Sequence, residues 1–128
     1  MPAPLLQHVA LSVRDIDKSA DWYTQLFDLT LAAEFEEPAP MKVYLTTAGQ
    51  ALDLRQDPHV VQEGFTQARV GLDHVAFVCA DRAELDGWLA KLAEFGVENS
   101  GVVSSPFGLH LNFRDPDGIP FEFYLPAT

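Results

Sequence analysis

The stretch Gly71-Leu-Asp-His-Val-Ala-Phe-Val-Cys79 repeats an earlier one, Leu5-Leu-Gln-His-Val-Ala-Leu-Ser-Val13. Both contain the tripeptide His-Val-Ala, at residues 8–10 and again at 74–76. Residues 5–13 alternate in polarity with a period of two, which indicates a β-strand. The chain is therefore expected to build the same strand twice, with His8 and His74 in the same place.

Further matched pairs recur along the chain at nearly constant spacing. The spacing is 66 positions for the histidines and for two tryptophans, and 69 for two glycines and two acids: His8 with His74, Trp22 with Trp88, Gly49 with Gly118, and Asp53 with Glu122. The two halves are therefore collinear, with a three-residue insertion between helix and turn. One such unit cannot cover both faces of its own sheet, so two units must share a core.

Each half is predicted to follow the order β-α-β-β-β. In the first half, Asp15 or Asp17 begins a helix that ends near Asp28. In the second half, Asp81 begins a helix over 82–95 that stops at Gly96. Strands are expected at 5–13, 29–36, 41–46 and 51–55, and then at 72–80, 97–103, 109–114 and 121–125.

These elements predict an α+β fold, in which two tandem βαβββ modules form a cup-like mixed sheet. Module 1 is expected to span residues 1–55 and module 2 residues 72–128. The polar and irregular residues 56–71 between them predict a linker. Together the modules are expected to make one structural domain, which suits a length of 128 residues.

The composition narrows the possible classes of function. Hydrophobic residues make up 48% of the chain, which is enough for a packed interior. The formal net charge of −11, from 19 acidic and 8 basic residues, disfavours binding to nucleic acid and to anionic membranes. No apolar run approaches the roughly 20 residues of a transmembrane helix, and no signal peptide is visible. The single cysteine fits a reducing compartment, so a cytoplasmic location is expected.

Four side chains that can bind metals occupy equivalent positions in the two halves: His8, Asp53, His74 and Glu122. Each histidine is near the start of its module's first strand, and each carboxylate is in the last strand. If the two sheets form one cup with approximate two-fold symmetry, all four could converge on its axis. Two imidazoles and one carboxylate suit Fe(II), Mn(II), Zn(II), Ni(II) or Co(II), and leave open positions for water, oxygen or substrate.

A purely structural interpretation of these residues is also open. A single histidine in a strand is more often a core or surface residue than a ligand. Asp53 and Glu122, each between apolar neighbours, could both face solvent on the outer side of a sheet. The metal hypothesis is favoured because, under the structural interpretation, a histidine and a carboxylate would occupy equivalent positions in both halves by coincidence.

The chain resembles the vicinal oxygen chelate superfamily over essentially its whole length. The resemblance is carried by four phrases: His8-Val-Ala-Leu-Ser-Val-Arg-Asp15, Ala20-Asp-Trp-Tyr-Thr-Gln-Leu-Phe-Asp-Leu29, Gly71-Leu-Asp-His-Val-Ala-Phe77 and Phe113-Arg-Asp-Pro-Asp-Gly-Ile-Pro-Phe-Glu-Phe123. This superfamily includes glyoxalase I, extradiol dioxygenases, fosfomycin-resistance thiol transferases, methylmalonyl-CoA epimerase and bleomycin-resistance proteins. The resemblance implies the two-module fold, while the superfamily spans several reaction types.

By motif, the resemblance implies that His8, His74 and Glu122 are the metal ligands. The implied cofactor is a divalent metal ion, namely Fe, Mn, Zn, Ni or Co. Asp53 falls where glyoxalase-like and epimerase-like members carry a fourth ligand or a catalytic glutamate. Because aspartate is one methylene shorter than glutamate, Asp53 is expected to bind a metal-bound water or to act as a base in place of coordinating the metal directly.

Strand parity adds further candidates around the site. His110 lies twelve positions before Glu122 and is expected to be a catalytic proton shuttle. Arg55 shares a face with Asp53 and is expected to pair with it or to hold an anionic substrate, with a rim salt bridge as the alternative. The candidate substrate-binding residues are Met41, Arg55, Phe107 and Asn112.

Two classes of function remain open. The first is a metal-dependent enzyme acting on a small substrate with neighbouring oxygens, with dioxygenase-like or glyoxalase-like (lyase or isomerase) chemistry. The second is a binding protein that sequesters an antibiotic or metabolite, as bleomycin-resistance-like members do without metal. A thiol transferase ranks third, because Lys42 and Arg55 are few cations to hold an anionic thiol and phosphonate. A homodimer is expected, with the cup closed within one chain or between two.

Overall fold

The computed structural model describes residues 1–128 and divides them into two compact units. Unit 1 is Met1–Glu63 and unit 2 is Gly64–Thr128. The boundary falls inside the predicted linker, and residues after it contact unit 2: the Phe65 N–H donates a hydrogen bond to the Asp117 carbonyl at 2.9 Å. Each unit contains one helix and one four-stranded sheet.

Unit 1 follows the predicted order. Its elements are β1 (His8–Ser12), α1 (Ile16–Phe27), β2 (Thr30–Phe35), β3 (Met41–Leu45) and β4 (Ala51–Arg55). The strands lie in the order β1-β4-β3-β2, with β1 parallel to β4 and the other pairs antiparallel. The strand that carries Asp53 is therefore an inner strand, paired on both edges.

Unit 2 has the same topology. Its elements are β5 (Val75–Val78), α2 (Arg82–Glu94), β6 (Asn99–Ser105), β7 (Gly108–Arg114) and β8 (Pro120–Pro126). The strands lie in the order β5-β8-β7-β6, with β5 parallel to β8. The predicted fold class of two tandem βαβββ modules is confirmed.

Both histidine strands begin later than their sequence patterns indicate. The first residue pairs are His8 with Ala51, which is the first residue of β4, and Val75 with Phe121. Leu5 and Leu6 precede the first pair and are 92% and 81% exposed. The alternating pattern indicated a strand there, but a strand lasts only as long as its ladder partner.

The two helices begin at side-chain caps. Of the two candidates in unit 1, Asp15 is the cap, since its carboxylate accepts a hydrogen bond from the Lys18 N–H at 3.2 Å. In unit 2 the Asp81 carboxylate accepts from the Glu84 N–H at 2.9 Å. Neither helix, at 12 and 13 residues, is long and apolar enough to cross a membrane.

Each sheet packs one face against the helix of its own unit. In unit 2, Phe121 and Phe123 are almost completely buried, and Trp88 of α2 stacks on Phe123 with ring centroids 4.3 Å apart. Burying a side chain of this size contributes roughly 1.5–3 kcal/mol. Alternation along β8 turns Glu122 away from this helix-covered face. In unit 1 the buried residues flanking Asp53 are Leu52 and Leu54. Asp53, like Glu122, therefore alternates with buried apolar side chains and lies on the face of its sheet opposite the helix.

The lone cysteine is part of this interior. Cys79 is buried, and desolvation raises the pKa of its thiol to about 11, with the nearby acids Glu84 and Asp81 acting in the same direction. At neutral pH the thiol therefore stays protonated, which suits a packing role and not a reactive one.

The turn between β6 and β7 requires a glycine at position 108. Gly108 has a φ of +147°, and a Cβ there would clash with the Leu125 carbonyl oxygen. We expect Gly108→Ala to lower the free energy of unfolding by at least about 2 kcal/mol, because the clashing atoms belong to the backbone of β8. Urea denaturation measures this difference.

The matched control is Gly49→Ala. Gly49 also has a positive φ, +82°, but no atom lies within 4 Å of its added Cβ. Its replacement should cost about 1 kcal/mol, from the backbone conformation alone. Equal losses at the two positions would show that crowding at Gly108 contributes nothing.

Candidate metal and substrate site

In unit 2, three side chains meet on the face of the sheet opposite α2. Glu122 lies on the inner strand β8, His110 on the adjacent β7, and His74 just before β5. His110 Nδ1 is 2.8 Å from Glu122 Oε1, and His74 Nε2 is 3.5 Å from Glu122 Oε2. The two oxygens of one carboxylate are thus directed at two different imidazoles.

His74 is oriented by the residue before it. Its Nδ1–H donates a hydrogen bond to Asp73 Oδ1 at 2.7 Å, and Gln67 Nε2 donates to the same oxygen at 3.2 Å. These hydrogen bonds, first that from His74 and then that from Gln67, hold the pKa of Asp73 below its ordinary value. With Nδ1 protonated, a neutral imidazole keeps its lone pair on Nε2, the atom that faces Glu122.

A cavity of about 730 Å³ lies against this group within unit 2. It is lined by polar and charged residues for the most part: Gln67, Asp73, His74, Glu98, Asn99, Asn112, Phe113, Arg114, Asp115, Pro120, Phe121 and Glu122. The Arg114 guanidinium donates to the Gly118 carbonyl and to Gln67 Oε1, which joins the cavity wall to the Asp73 group. The volume suits a small molecule.

Unit 1 presents a closely similar pair. His8 Nδ1–H donates to Gln7 Oε1 at 2.6 Å, and His8 Nε2 is 3.8 Å from Asp53 Oδ2. As in unit 2, the residue before the histidine holds Nδ1 and leaves Nε2 directed at the carboxylate of the last strand. Gln7 and Asp73 are 66 positions apart, the same spacing as the histidines.

Sequence reasoning missed Gln7 and Asp73. The repeat offset could have found them, because a hydrogen-bond acceptor precedes the histidine in both halves. It also missed Gln67, which lies within the predicted linker and carries no pattern of its own, and Ser105, which contacts His110 Nε2 at 2.6 Å.

The Asp53 carboxylate is suited to a ligand that the protein itself does not supply. Asp53 is only 5% exposed, and its Oδ1 is the one buried side-chain oxygen or nitrogen without a hydrogen-bond partner. An unpartnered buried carboxylate oxygen is costly, so such an atom commonly has a functional role.

The distances also fit a metal. Separations of 3.5 and 3.8 Å between imidazole nitrogen and carboxylate oxygen exceed the hydrogen-bond limit of about 3.2 Å. They are short enough for both atoms of each pair to contact one ion at about 2.0–2.2 Å. The donor set of imidazole and carboxylate is that of a borderline divalent metal.

The predicted ligand set draws on both units. In the structure no group of three or more His, Cys, Asp or Glu side chains is arranged so that it could hold a metal ion, and the third member of the unit 2 group, His110, is hydrogen bonded to Glu122 and Ser105. Unit 2 brings His74 and Glu122 together, and unit 1 brings His8 to Asp53. The triad of His8, His74 and Glu122 stays a prediction.

The remaining predicted site residues occupy varied places. Arg55 forms an ion pair of 2.9 Å with Asp57. Met41 is half-buried on β3 and pairs with Arg55 across the sheet. Asn112 pairs with Glu122 and lines the cavity, whereas Phe107 lies on the β6–β7 turn, 74% exposed and outside the cavity wall. Their contacts with substrate stay predictions.

Comparison with known proteins gives a family and a set of relatives. The model of the Glyoxalase/Bleomycin resistance protein/Dioxygenase superfamily matches residues 5–123. A glyoxylase/bleomycin resistance protein/dioxygenase domain from Frankia sp. EAN1pec has a crystal structure that is 30% identical, with a TM-score of 0.91 over 98% of this chain and 100% of that one.

Two further relatives differ in what they share. A mutant of the fosfomycin resistance protein FosX from Listeria monocytogenes, complexed with Mn(II) and 1S,2S-dihydroxypropylphosphonic acid, is 19% identical with a TM-score of 0.72, over 96% of this chain and 93% of that one. The putative ring-cleaving dioxygenase MhqA of Bacillus subtilis (strain 168) is 41% identical over 56 residues, which are 44% of this chain. The matched stretch spans only 18% of the length of MhqA.

The buried Asp53 leads to a test of stability. We expect Asp53→Asn to raise the free energy of unfolding of metal-free protein by about 1 kcal/mol or more, because a neutral amide of the same shape removes the cost of burying a carboxylate whose Oδ1 has no hydrogen-bond partner. Urea denaturation in the presence of a chelator measures the change. Asp57→Asn is the control, since the Asp57 side chain is only partly buried and accepts hydrogen bonds from Arg55 and the His59 N–H. A loss of stability in Asp53→Asn larger than that in the control would contradict the expectation.

Proposed function

The chain belongs to the glyoxalase/bleomycin resistance protein/dioxygenase superfamily, and on that premise we propose that it is a metal-dependent enzyme acting on a small substrate with neighbouring oxygen atoms. The observation that carries the proposal is the repeated pair of an oriented histidine and an inner-strand carboxylate. In both units Nδ1 is held by the preceding residue and Nε2 faces the acid. A histidine that only packs would not need its Nδ1 held by the preceding residue in both units.

The proposed metal ligands are His8, His74 and Glu122. The metal would be Fe, Mn, Zn, Ni or Co, and the Mn(II) in the FosX complex supports a divalent ion in this fold. When bound, such an ion supplies Lewis acidity and a common coordination shell for neighbouring substrate oxygens. His74 is prepared for this role by Asp73, because an acceptor on Nδ1–H fixes the tautomer and the orientation of the ring, with Nε2 directed at the proposed metal position.

Asp53 is the proposed general base. Its Oδ1 has no hydrogen-bond partner, so a lone pair is free to accept a proton from substrate or water. His110 is the proposed second proton carrier, although both of its ring nitrogens are hydrogen bonded to Glu122 and Ser105. One of these bonds must open before His110 can exchange a proton with a substrate.

The proposed substrate is a small polar molecule. The polar wall of the unit 2 cavity supports this, and Asn112 offers its amide close to Glu122. Arg55 is proposed to hold an anionic group of the substrate, which requires it to exchange its ion pair with Asp57. Met41 and Phe107 are proposed as apolar contacts. The net charge of −11 argues against nucleic acid and anionic membranes as partners, and a cytoplasmic homodimer is part of the proposal.

Of the two reaction classes, we favour ring-cleaving dioxygenase chemistry. The similarity to MhqA supports it, over the 56 residues that match. An acid at position 53 instead favours glyoxalase-like lyase or isomerase chemistry, in which a base removes a proton beside a carbonyl. A sequestering protein of the bleomycin-resistance kind is the second candidate, favoured by the finding that the structure contains no group of three or more His, Cys, Asp or Glu side chains arranged to hold a metal ion.

Metal content tests the ligand assignment. We expect His74→Ala and Glu122→Gln to retain less than about a tenth of the wild-type metal content, because each removes a proposed ligand. Elemental analysis of protein purified without added metal provides the measurement. His59→Ala is the matched control, since this exposed histidine lies in the segment between β4 and β5. A His74→Ala protein that keeps its metal would refute the site, and ligand binding that survives His8→Ala and His74→Ala would favour the sequestering protein.

Oxygen uptake separates the reaction classes. We expect the iron-loaded protein to consume O₂ in step with the loss of a catechol from a panel of catechols. Glu122→Gln should lower the rate by at least about a hundredfold, since it weakens the metal site, whereas His59→Ala should not change it. Isomer formation that depends on nickel, zinc or cobalt, without O₂ uptake, would replace the dioxygenase proposal by a lyase or isomerase.

A further inference from the structure

We infer that Ser105 is a positioning residue, which acts through His110 to hold the Glu122 carboxylate so that only Oε2 is free to bind a divalent cation. This inference rests on the proposed function for its metal, and on the hydrogen bonds of unit 2 for its geometry. Ser105 lies at the end of β6, where nothing in its sequence context predicts a role in the site.

Three groups form an unbroken hydrogen-bonded chain. Ser105 Oγ lies 2.6 Å from His110 Nε2, and His110 Nδ1 lies 2.8 Å from Glu122 Oε1. An ionised carboxylate can only accept, so the hydrogen of this second bond belongs to Nδ1. A neutral imidazole then has its lone pair on Nε2, and the Ser105 hydroxyl donates to it.

The surrounding turn leaves the Ser105 hydroxyl hydrogen available. The Phe107 N–H donates to Ser105 Oγ at 3.2 Å, so the oxygen already serves as an acceptor. The competing acceptor, the Gly108 carbonyl, is more distant, at 3.4 Å. The turn is anchored from its other side, because the Phe107 carbonyl accepts from the Tyr124 hydroxyl at 2.7 Å.

The imidazole between the two groups is also fixed in its plane. His110 pairs with Tyr124 across the sheet, and their rings stack with centroids 5.0 Å apart. Only one-fifth of the His110 side chain is exposed. A ring held by a stacking partner and by a hydrogen bond at each nitrogen has little freedom to turn, so Glu122 Oε1 is committed to it.

The consequence concerns how Glu122 can bind a metal. With Oε1 engaged by His110, Oε2 alone faces His74 Nε2, at 3.5 Å. Without the Ser105 hydroxyl, the His110 ring loses one of its two anchors and the carboxylate gains freedom to rotate. Loss of partners that orient a ligand typically costs about 10–100-fold in metal affinity.

A double-mutant cycle tests whether Ser105 acts through His110. Mn(II) affinity is measured by competition with a chelator for the wild type, Ser105→Ala, His110→Phe and the double variant. The phenylalanine keeps the stacking on Tyr124 and removes both hydrogen bonds. We expect each single variant to lose about tenfold or more, and the double variant to match His110→Phe within about twofold.

Two further variants separate the hydroxyl from the turn. Ser105→Thr keeps the hydroxyl and should retain wild-type affinity within about twofold, whereas Ser104→Ala, an exposed neighbour on the same strand, should have no effect. A double variant whose loss equals the product of the single losses would overturn the inference. So would a Ser105→Ala protein that binds Mn(II) as tightly as Ser104→Ala.

A measurement on metal-free protein keeps this test independent of the metal proposal. The ring nitrogen resonances of His110, recorded for all variants at one fixed pH of about 8, should show the proton on Nδ1 in the wild type. The Nε2 resonance should be shifted in Ser105→Ala and should stay at its wild-type position in Ser104→Ala. A wild-type proton on Nε2 would refute the hydrogen-bonded chain, whereas a wild type that binds no metal but keeps the Nδ1 proton would refute the proposed function alone.

Discussion

The parallel pairing of the first and last strands within each unit is the constraint on which the candidate site depends. It sets Ala10 opposite Asp53 and Ala76 opposite Glu122. Each histidine precedes its alanine by two residues, so it lies on the same face of the sheet as the acid. A shift of one residue in either ladder would move the acid to the helix-covered face. The histidine and the acid of that unit would then lie on opposite faces of the sheet and could not contact one ligand.

The same pairing explains why the acids are held firmly. Asp53 and Glu122 lie on inner strands, with a hydrogen-bonded neighbour on each edge. The two units nevertheless treat their acids differently. Glu122 receives a hydrogen bond from His110, whereas Asp53 keeps a buried oxygen without a partner. An inert protein would gain stability by filling this position with an apolar residue, so the retained charge is consistent with a functional constraint.

In both units the histidine is also held by a hydrogen bond to the residue before it. Gln7 and Asp73 hold the same ring nitrogen in the two units, but one acceptor is neutral and the other is anionic. The imidazole of unit 2 is therefore held by a charged acceptor, and it is also the one beside the cavity and the His110 group. The duplicated scaffold has thus become chemically unequal, with the more elaborate hydrogen bonding in unit 2.

The sequence by itself determined the two βαβββ modules and the positions of His8, Asp53, His74 and Glu122 within them. Repeat spacing and alternation are properties of the chain, and they fix which strands exist and which residues share a face. Only the tertiary structure decided the partners: Arg55 with Asp57, Gln67 with Asp73, and Ser105 with His110. Such contacts depend on turn geometry and on the rotamers that packing allows, and neither leaves a periodic trace in the sequence.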